Sequence, residues 1–213
     1  MRHRLKSLLG LLRRRSRIRR YLQECDVRKL HLGAGQNVLA GWLNTDLHDY
    51  GRGDELVYLD ARRPFPLPDD SFDTVFSEHM LEHLSYAEGQ ACLRECRRVL
   101  RPGGRIRIAT PSLERLARLY DSDLTDVQRR YVRWAIDSFV ATGAPALPGL
   151  VINNFLRAWG HEFVYDPDTL RHALETAGFV DVEEKRPADL EGHLAEAPEF
   201  NEYETFVLEA RKP

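Results

Sequence analysis

Long hydrophobic runs and cysteines are both scarce in this chain of 213 residues. A helix that spans a bilayer needs about 20 consecutive apolar residues, but the only candidate leader, LLGLL at residues 8–12, is short and runs into three arginines. The three cysteines are an odd set without the spacing of a disulfide framework: Cys25, Cys92 and Cys96. We therefore expect no transmembrane segment, reduced thiols and a cytoplasmic protein.

Acidic residues are missing from the first 20 positions, which hold nine of the 31 lysines and arginines, so that the remainder has a net charge of −11. Residues 1–25 are predicted to form a basic amphipathic helical extension, because apolar residues recur there at helical spacing: Leu5, Leu8, Leu9 and Leu12, then Ile18, Tyr21 and Leu22. This favours packing on the acidic body or on a second copy in a homodimer. Docking on a membrane surface or partner is the alternative, and nucleic acid is disfavoured because aromatic residues are not interleaved.

A metal-binding motif, H-x-x-E-H, occurs in SEHMLEHL (residues 77–84). Two histidines four apart share a helix face and could hold zinc. However, residues 72–77 read as a strand, which leaves His79 at or before the helix start, and the sequence offers no cluster for a third ligand. We therefore expect no metal here, with Glu82 and His83 capping, packing or pairing.

Residues 26–213 lack a Ser/Gly/Pro-rich linker and are predicted to form one domain in which strands alternate with helices. The strand-like runs occupy residues 29–35, 42–47, 56–60, 72–77, 105–110, 179–185 and 205–212. Helical periods cover residues 87–100 and 166–178. This alternation predicts a doubly wound, largely parallel sheet, whose ligands bind beyond the carboxyl ends of the strands.

Polar or glycine residues stand at four of these predicted strand ends. They are Gly33-Ala34-Gly35, Asp46, Asp60-Ala61 and Ser77-Glu78-His79. The glycine turn lacks the third glycine of a dinucleotide fingerprint because residue 38 is valine, which disfavours a nicotinamide oxidoreductase. A ligand with an amino-acid tail and a nucleoside needs a less extended glycine loop.

With these motifs in order, residues 29–111 resemble the class I S-adenosylmethionine-dependent methyltransferases, in particular a small bacterial type. The matching segments are LHLGAG, PFPLPDDSFD, SEHMLEHL and RVLRPGG, and residues 155–179 are similar to the tail of that group. The resemblance implies a Rossmann-like, seven-stranded, mostly parallel sheet with an antiparallel last hairpin strand. It implies S-adenosyl-L-methionine as cofactor, with contacts from Gly33, Ala34, Gly35, Asp46, Leu47, Asp60, Ala61, Ser77 and Glu78.

Two positions depart from the family pattern. His31 stands where an acidic residue usually precedes the glycine turn, so the methionine ammonium of the cofactor must find its partner elsewhere. The link from Gly35 to Trp42 is short for a parallel crossover, so we expect at most about one helical turn there.

The acceptor is expected to be a hydroxyl of a saccharide or another small molecule. Methyl transfer mainly requires orientation and exclusion of water, but a hydroxyl must also lose its proton, for which His79 and His161 are the candidate catalytic bases. Residues 112–165 form a predicted helical insertion that acts as lid and substrate-binding segment. An N-methyltransferase, a macromolecule methyltransferase and a non-catalytic cofactor-binding or scaffold protein are the alternatives.

Overall fold

The computed structural model describes residues 14–186, Phe200 and residues 203–213. A seven-stranded sheet organises them, in the order β3-β2-β1-β4-β5-β7-β6. The strands are β1 Lys29–Leu32, β2 Leu43–Asp46, β3 Val57–Tyr58, β4 Phe72–Glu78, β5 Leu100–Pro111, β6 Val180–Lys185 and β7 Thr205–Arg211. Strand β7 is antiparallel to both β5 and β6, and the pairs from β3 to β5 are parallel. The predicted fold class is therefore confirmed.

Six α-helices with described bounds accompany the sheet, and residues 200, 203 and 204 are also helical. The six are α1 over residues 14–24, α2 Tyr86–Val99, α3 Leu113–Ala117, α4 Asp126–Ala135, α5 Pro148–Arg157 and α6 Pro167–Thr176. A π-helical turn, Ile136–Val140, extends α4, and 3-10 turns cover Gly53–Glu55, Leu81–His83 and Arg118–Tyr120. None of these helices is both long and apolar enough to cross a bilayer.

Local capping explains where the two predicted core helices begin. Ser85 and Glu88 form a reciprocal capping box at the start of α2, and the side chain of Asp166 accepts a hydrogen bond from the Thr169 amide at the start of α6. Helix α2 buries Cys92, Leu93, Cys96 and Val99 on one face against the sheet. Cys92 and Cys96 are therefore free thiols inside the core.

The short link between β1 and β2 contains turns and no helix within residues 33–42, as expected from its length. Leu39 and Trp42 cover this part of the sheet and pack against Phe76. The His31 ring stacks on Phe76 with centroids 5.2 Å apart, and its Nδ1 lies 3.1 Å from Asn44 Oδ1. Burial lowers the pKa of His31, so this departure from the family pattern gives a neutral packing residue.

The second apolar stripe of the basic extension packs on the body of the protein. Ile18 on α1 is buried, and Tyr21 and Leu22 pack beside it against the main core. The Tyr21 hydroxyl lies 2.9 Å from Lys29 O, 2.8 Å from Lys29 N and 3.0 Å from Gly41 O. The first stripe, Leu5 to Leu12, lies outside the described residues, and the predicted homodimer or docking contact of that stripe stays a prediction.

Helices α3, α4 and α5 form a second apolar cluster within the predicted insertion at residues 112–165. Its buried members are Leu116, Leu119, Tyr131, Val132, Ala135, Ile136, Val151 and Phe155. This cluster is separate from the main core, so the insertion has an apolar core of its own.

Replacement of Tyr21 by Phe is expected to lower the free energy of unfolding by about 1–2 kcal/mol, because Lys29 N loses its acceptor and the carbonyls of Lys29 and Gly41 lose the one hydroxyl proton that they share. Urea unfolding followed by circular dichroism measures the change. Tyr120→Phe is the matched control, since Tyr120 is 68% exposed. Equal stabilities of the two variants would contradict the anchoring role of Tyr21.

Candidate active site

Two adjoining cavities lie beyond the carboxyl ends of the parallel strands. The first, here called the strand-end cavity, has a volume of about 420 Å³ and is bordered by the residues that follow β1, β2, β3 and β4. The second, here called the insertion cavity, has a volume of about 380 Å³ and is bordered by α4, the π-helical turn, α5 and the 3-10 turn Leu81–His83. The two cavities share His79, His83 and Trp159 as a common wall.

Six of the nine predicted cofactor contacts line the strand-end cavity: Gly33, Gly35, Asp46, Leu47, Asp60 and Ala61. The other three, Ala34, Ser77 and Glu78, are buried and do not line it. Sequence reasoning missed His48, Tyr50, Arg62, Met80, Leu84, Trp159 and Gly160, which also line this cavity. His48 and Tyr50 could have been predicted, because they follow shortly after a strand end. No sequence pattern near Trp159 predicts that it lines this cavity.

The glycine turn after β1 is held by the end of β2. Gly33 and Gly35 have φ of +68° and +54°, in the left-handed region that favours glycine. The Gly35 amide donates to Asp46 Oδ2 at 2.9 Å, and the His48 amide donates to Asp46 Oδ1 at 2.8 Å. Each carboxylate oxygen has a second lone pair, so Asp46 shapes the turn and can still accept from a ligand.

His79 directly follows β4 and lies in the left-handed region, with φ of +47°. Its Nε2 lies 3.0 Å from Thr205 Oγ1, and its Nδ1 lies 3.4 Å from Glu82 Oε1. Burial acts to lower the pKa of His79, but the Glu82 carboxylate, followed by Glu204 and Glu78, outweighs burial and raises that pKa. Both ring nitrogens therefore face protein groups, although His79 is part of the lining of both cavities.

Glu82 is fully buried beside His79 in the wall of the insertion cavity. Its Oε2 accepts a hydrogen bond of 3.1 Å from Thr110 Oγ1, whereas Oε1 has no hydrogen-bond partner among the described residues. Burial favours the neutral acid, but His79 outweighs it and lowers the pKa of Glu82. Glu82 is consequently a buried carboxylate whose Oε1 makes no hydrogen bond among the described residues and has the charge contact with His79.

His161 follows a turn in which Trp159 and Gly160 have φ of +57° and +81°. Its Nδ1 lies 2.7 Å from Phe155 O, and burial lowers the pKa of His161, so the neutral ring donates from Nδ1. Its ring centroid is 5.0 Å from that of His83. Ligand atoms of Glu82, His83 and His161 all lie within 4.8 Å of one another. His83, expected to cap, pack or pair, packs its ring beside His161 and also lines both cavities.

Aromatic side chains dominate the remainder of the insertion cavity: Tyr131, Trp134, Phe139, Phe155 and Trp159. Glu204 is a second carboxylate in its wall, and Tyr131 donates a hydrogen bond of 2.6 Å to Glu204 Oε2. Burial raises the pKa of Glu204 above its ordinary value, and burial also raises the pKa of Tyr131 well above its ordinary value. The cavity therefore combines flat apolar surfaces with a few polar groups, as small-molecule sites commonly do.

Residues 37–108 match a family model described as a methyltransferase domain. A segment of 87 residues is 40% identical to an uncharacterized 37.1 kDa protein in transposon TN4556 of Streptomyces fradiae, and it covers 41% of this chain and 24% of that protein. A segment of 79 residues is 35% identical to the ubiquinone/menaquinone biosynthesis C-methyltransferase UbiE of Hahella chejuensis, and it covers 35% of this chain and 31% of that protein. The matches thus span about a quarter and about a third of these two curated relatives.

Among solved structures, an S-adenosylmethionine-dependent methyltransferase from Mesorhizobium loti is similar with a TM-score of 0.56 and 19% identity. The similarity covers 91% of this chain and 95% of that one. At this identity the likeness shows a shared fold. Together with the family match, it confirms the resemblance predicted from the motifs.

Replacement of Gly33 by Ala is expected to weaken binding of S-adenosylhomocysteine at least about tenfold, a loss of about 1.4 kcal/mol. The new Cβ would lie 2.2 Å from Met80 Cγ, and φ of +68° strains any other residue. Calorimetric titration measures the affinity. Gly103→Ala is the matched control, because it has a similar φ of +78° with open space around the added Cβ. Equal affinities of the two variants would contradict a role of this turn in binding.

Proposed function

We propose that this chain, which carries a class I S-adenosylmethionine-dependent methyltransferase domain, transfers the methyl group of S-adenosyl-L-methionine to a hydroxyl of a small molecule of saccharide size. The main support for this proposal is that the strand-end and insertion cavities share a wall at His79, His83 and Trp159. A cofactor in the first cavity and an acceptor in the second would meet there.

The residues of the strand-end cavity fit the cofactor. Asp46 and Asp60 offer carboxylate oxygens of the kind that accept hydrogen bonds from ribose hydroxyls or amino groups. Leu47, Leu59, Ala61 and Leu84 supply apolar surface suited to an adenine ring. Added Cβ atoms at Gly35 would meet nothing within 4 Å, so the turn leaves open space beside it. His31 does not line the cavity, so it does not replace the missing acid.

The methyl-transfer step makes modest demands on the protein. The carbon–sulfur bond of the sulfonium breaks as the acceptor oxygen bonds to the methyl carbon, S-adenosylhomocysteine leaves, and the hydroxyl loses its proton. The cofactor brings its own leaving group, so the chain mainly aligns the two ligands and excludes water. The shared wall is suited to this alignment because it borders both ligands at once.

The two predicted catalytic histidines differ in what they can reach. His79 has one ring nitrogen near Glu82 and the other near Thr205, so we assign it to positioning Glu82 at the shared wall. His161 donates from Nδ1 to Phe155 O, which leaves the lone pair of Nε2 available in the insertion cavity. We therefore propose His161 as the histidine that acts at the polar group of the acceptor.

The aromatic lining of the insertion cavity favours a saccharide or another ring-shaped acceptor. Sugar rings have flat apolar faces and polar rims, which suit stacking on aromatic side chains such as Trp134 and Phe139 with hydrogen bonds to Asn154 or Glu204. The two carboxylates of this cavity, Glu82 and Glu204, also suit an amine, which makes an N-methyltransferase the second candidate.

A labelled-methyl screen over saccharides, small amines, other metabolites, protein and RNA tests the proposed function. We expect transfer to a small hydroxyl compound, with the methyl-bearing atom identified by mass spectrometry and NMR. Transfer to nitrogen, to carbon as the name of the Hahella chejuensis relative indicates for that protein, or to protein or RNA alone would contradict the proposed acceptor. S-adenosylmethionine binding without transfer to any acceptor class would favour a non-catalytic binding protein.

Replacement of Phe139 by Ala is expected to raise the KM for the acceptor about tenfold while S-adenosylhomocysteine affinity is unchanged, since Phe139 lines only the insertion cavity. Steady-state kinetics and calorimetry measure the two quantities. Leu156→Ala is the matched control, because Leu156 and Phe139 are 43% and 45% exposed and Leu156 lines neither cavity. An unchanged acceptor KM in Phe139→Ala would argue against this cavity as the acceptor site.

A further inference from the structure

We propose that Glu82, His83 and His161 form a binding site for a divalent transition-metal ion, of which zinc(II) is the best-matched example. Two imidazoles and one carboxylate are a common ligand set for such ions. The three candidate ligand atoms lie within 4.8 Å of one another. Ligands of one ion at about 2.1 Å are themselves roughly 3 to 3.5 Å apart, so small side-chain rotations bring these three onto a metal.

The buried oxygen of Glu82 is an independent observation that points to a cation. Glu82 is fully buried, and its Oε1 has no hydrogen-bond partner among the described residues. The Nδ1 atom of His79 lies 3.4 Å away as an electrostatic neighbour without good hydrogen-bond alignment. The charge contact with His79 leaves the lone pairs of this buried oxygen without a hydrogen bond, and a metal ion would use one of them.

The surroundings of the cluster have the features of an outer coordination shell. Histidines that bind metals usually donate the other ring N–H to a backbone carbonyl or carboxylate, and ligating carboxylates are themselves hydrogen-bonded. His161 places Nδ1 2.7 Å from Phe155 O, which orients the ring and leaves Nε2 as its ligand atom. Thr110 Oγ1 donates to Glu82 Oε2 at 3.1 Å, which leaves Oε1 as the ligand atom of the carboxylate.

Backbone hydrogen bonds fix the distance between the two segments that supply the ligands. The carbonyl oxygen of Glu82 accepts from the amides of Glu162 and Phe163 at 2.8 Å and 3.1 Å. The segment that carries Glu82 and His83 is thereby attached to the segment that carries His161. A site whose ligands are positioned by main-chain bonds needs little reorganisation on binding.

The proposed ligands, Glu82, His83 and His161, differ from the pair His79 and His83 that the H-x-x-E-H motif suggests. His79 precedes the 3-10 turn, and its Nε2 lies 3.0 Å from the buried hydroxyl of Thr205. The third ligand comes instead from His161, far along the chain. The proposal therefore departs from the expectation of no metal, which rested on the lack of a third ligand in the local sequence.

Three protein ligands leave at least one coordination position for water or for an acceptor atom. All three line the insertion cavity, and His83 also lines the strand-end cavity. This role of the metal rests on the proposed function. An acceptor hydroxyl at the open position would lose its proton to solvent more readily. His161 would then act on the acceptor through the metal, as one of its ligands.

Cobalt(II) titration of the untagged, chelator-stripped full chain tests the site. We expect visible absorption bands that saturate at about one equivalent and are displaced by zinc(II). His83→Ala, His161→Ala and Glu82→Gln are each expected to weaken cobalt binding at least about tenfold. His172→Ala is the matched control, because His172 is exposed on α6 and lines neither cavity, and its affinity should equal that of the unaltered chain.

Circular dichroism of each variant shows that it is folded, a readout that does not depend on the strand-end cavity that His83 also lines. Absence of a saturable site in the unaltered chain, or unchanged cobalt affinity in all three ligand variants, would overturn the metal proposal. Metal binding without methyl transfer to any acceptor would overturn the proposed function alone. Full methyl transfer by a chain that binds no cobalt would overturn the metal proposal and leave the proposed function standing.

Discussion

The buried carboxylate of Glu82 is the group on which the arrangement of the site depends. Its side chain contacts His79, which follows β4, and Thr110 on β5, and its backbone carbonyl accepts from Glu162 and Phe163 at the end of the helical insertion. A carboxylate with no solvent exposure is costly unless its oxygens are paired. His79 and Thr110 offset that cost from the sheet edge, and the backbone carbonyl of Glu82 attaches the end of the insertion to the same place.

The two cavities follow from this meeting. Parallel alignment of β1 with β2 and β4 brings the glycine turn, Asp46 and His79 to one edge of the sheet. The helical insertion adds an aromatic surface on the other side of His79, His83 and Trp159. A two-ligand transfer reaction needs such an arrangement, because the cofactor and the acceptor must be held separately and brought together at one point.

The fold and most of the predicted cofactor contacts in the strand-end cavity could be predicted from the sequence. All seven predicted strands occur, and six of the nine predicted cofactor contacts line one cavity, because strand ends and glycine turns are local features of the sequence. Ala34, Ser77 and Glu78 are buried outside the lining. Side-chain direction at a strand end depends on the local backbone, and the positive φ of His79 redirects the chain at this point.

By itself the sequence determined the order of strands and helices, the short link before Trp42 and the candidate residues at the strand ends. These properties depend on periodicity, capping and turn chemistry within a few residues. Only the tertiary structure decided that both ring nitrogens of His79 face protein groups and that His161 lies beside Glu82 and His83. Contacts between segments so far apart in the chain depend on how the insertion packs against the sheet, which no local pattern specifies.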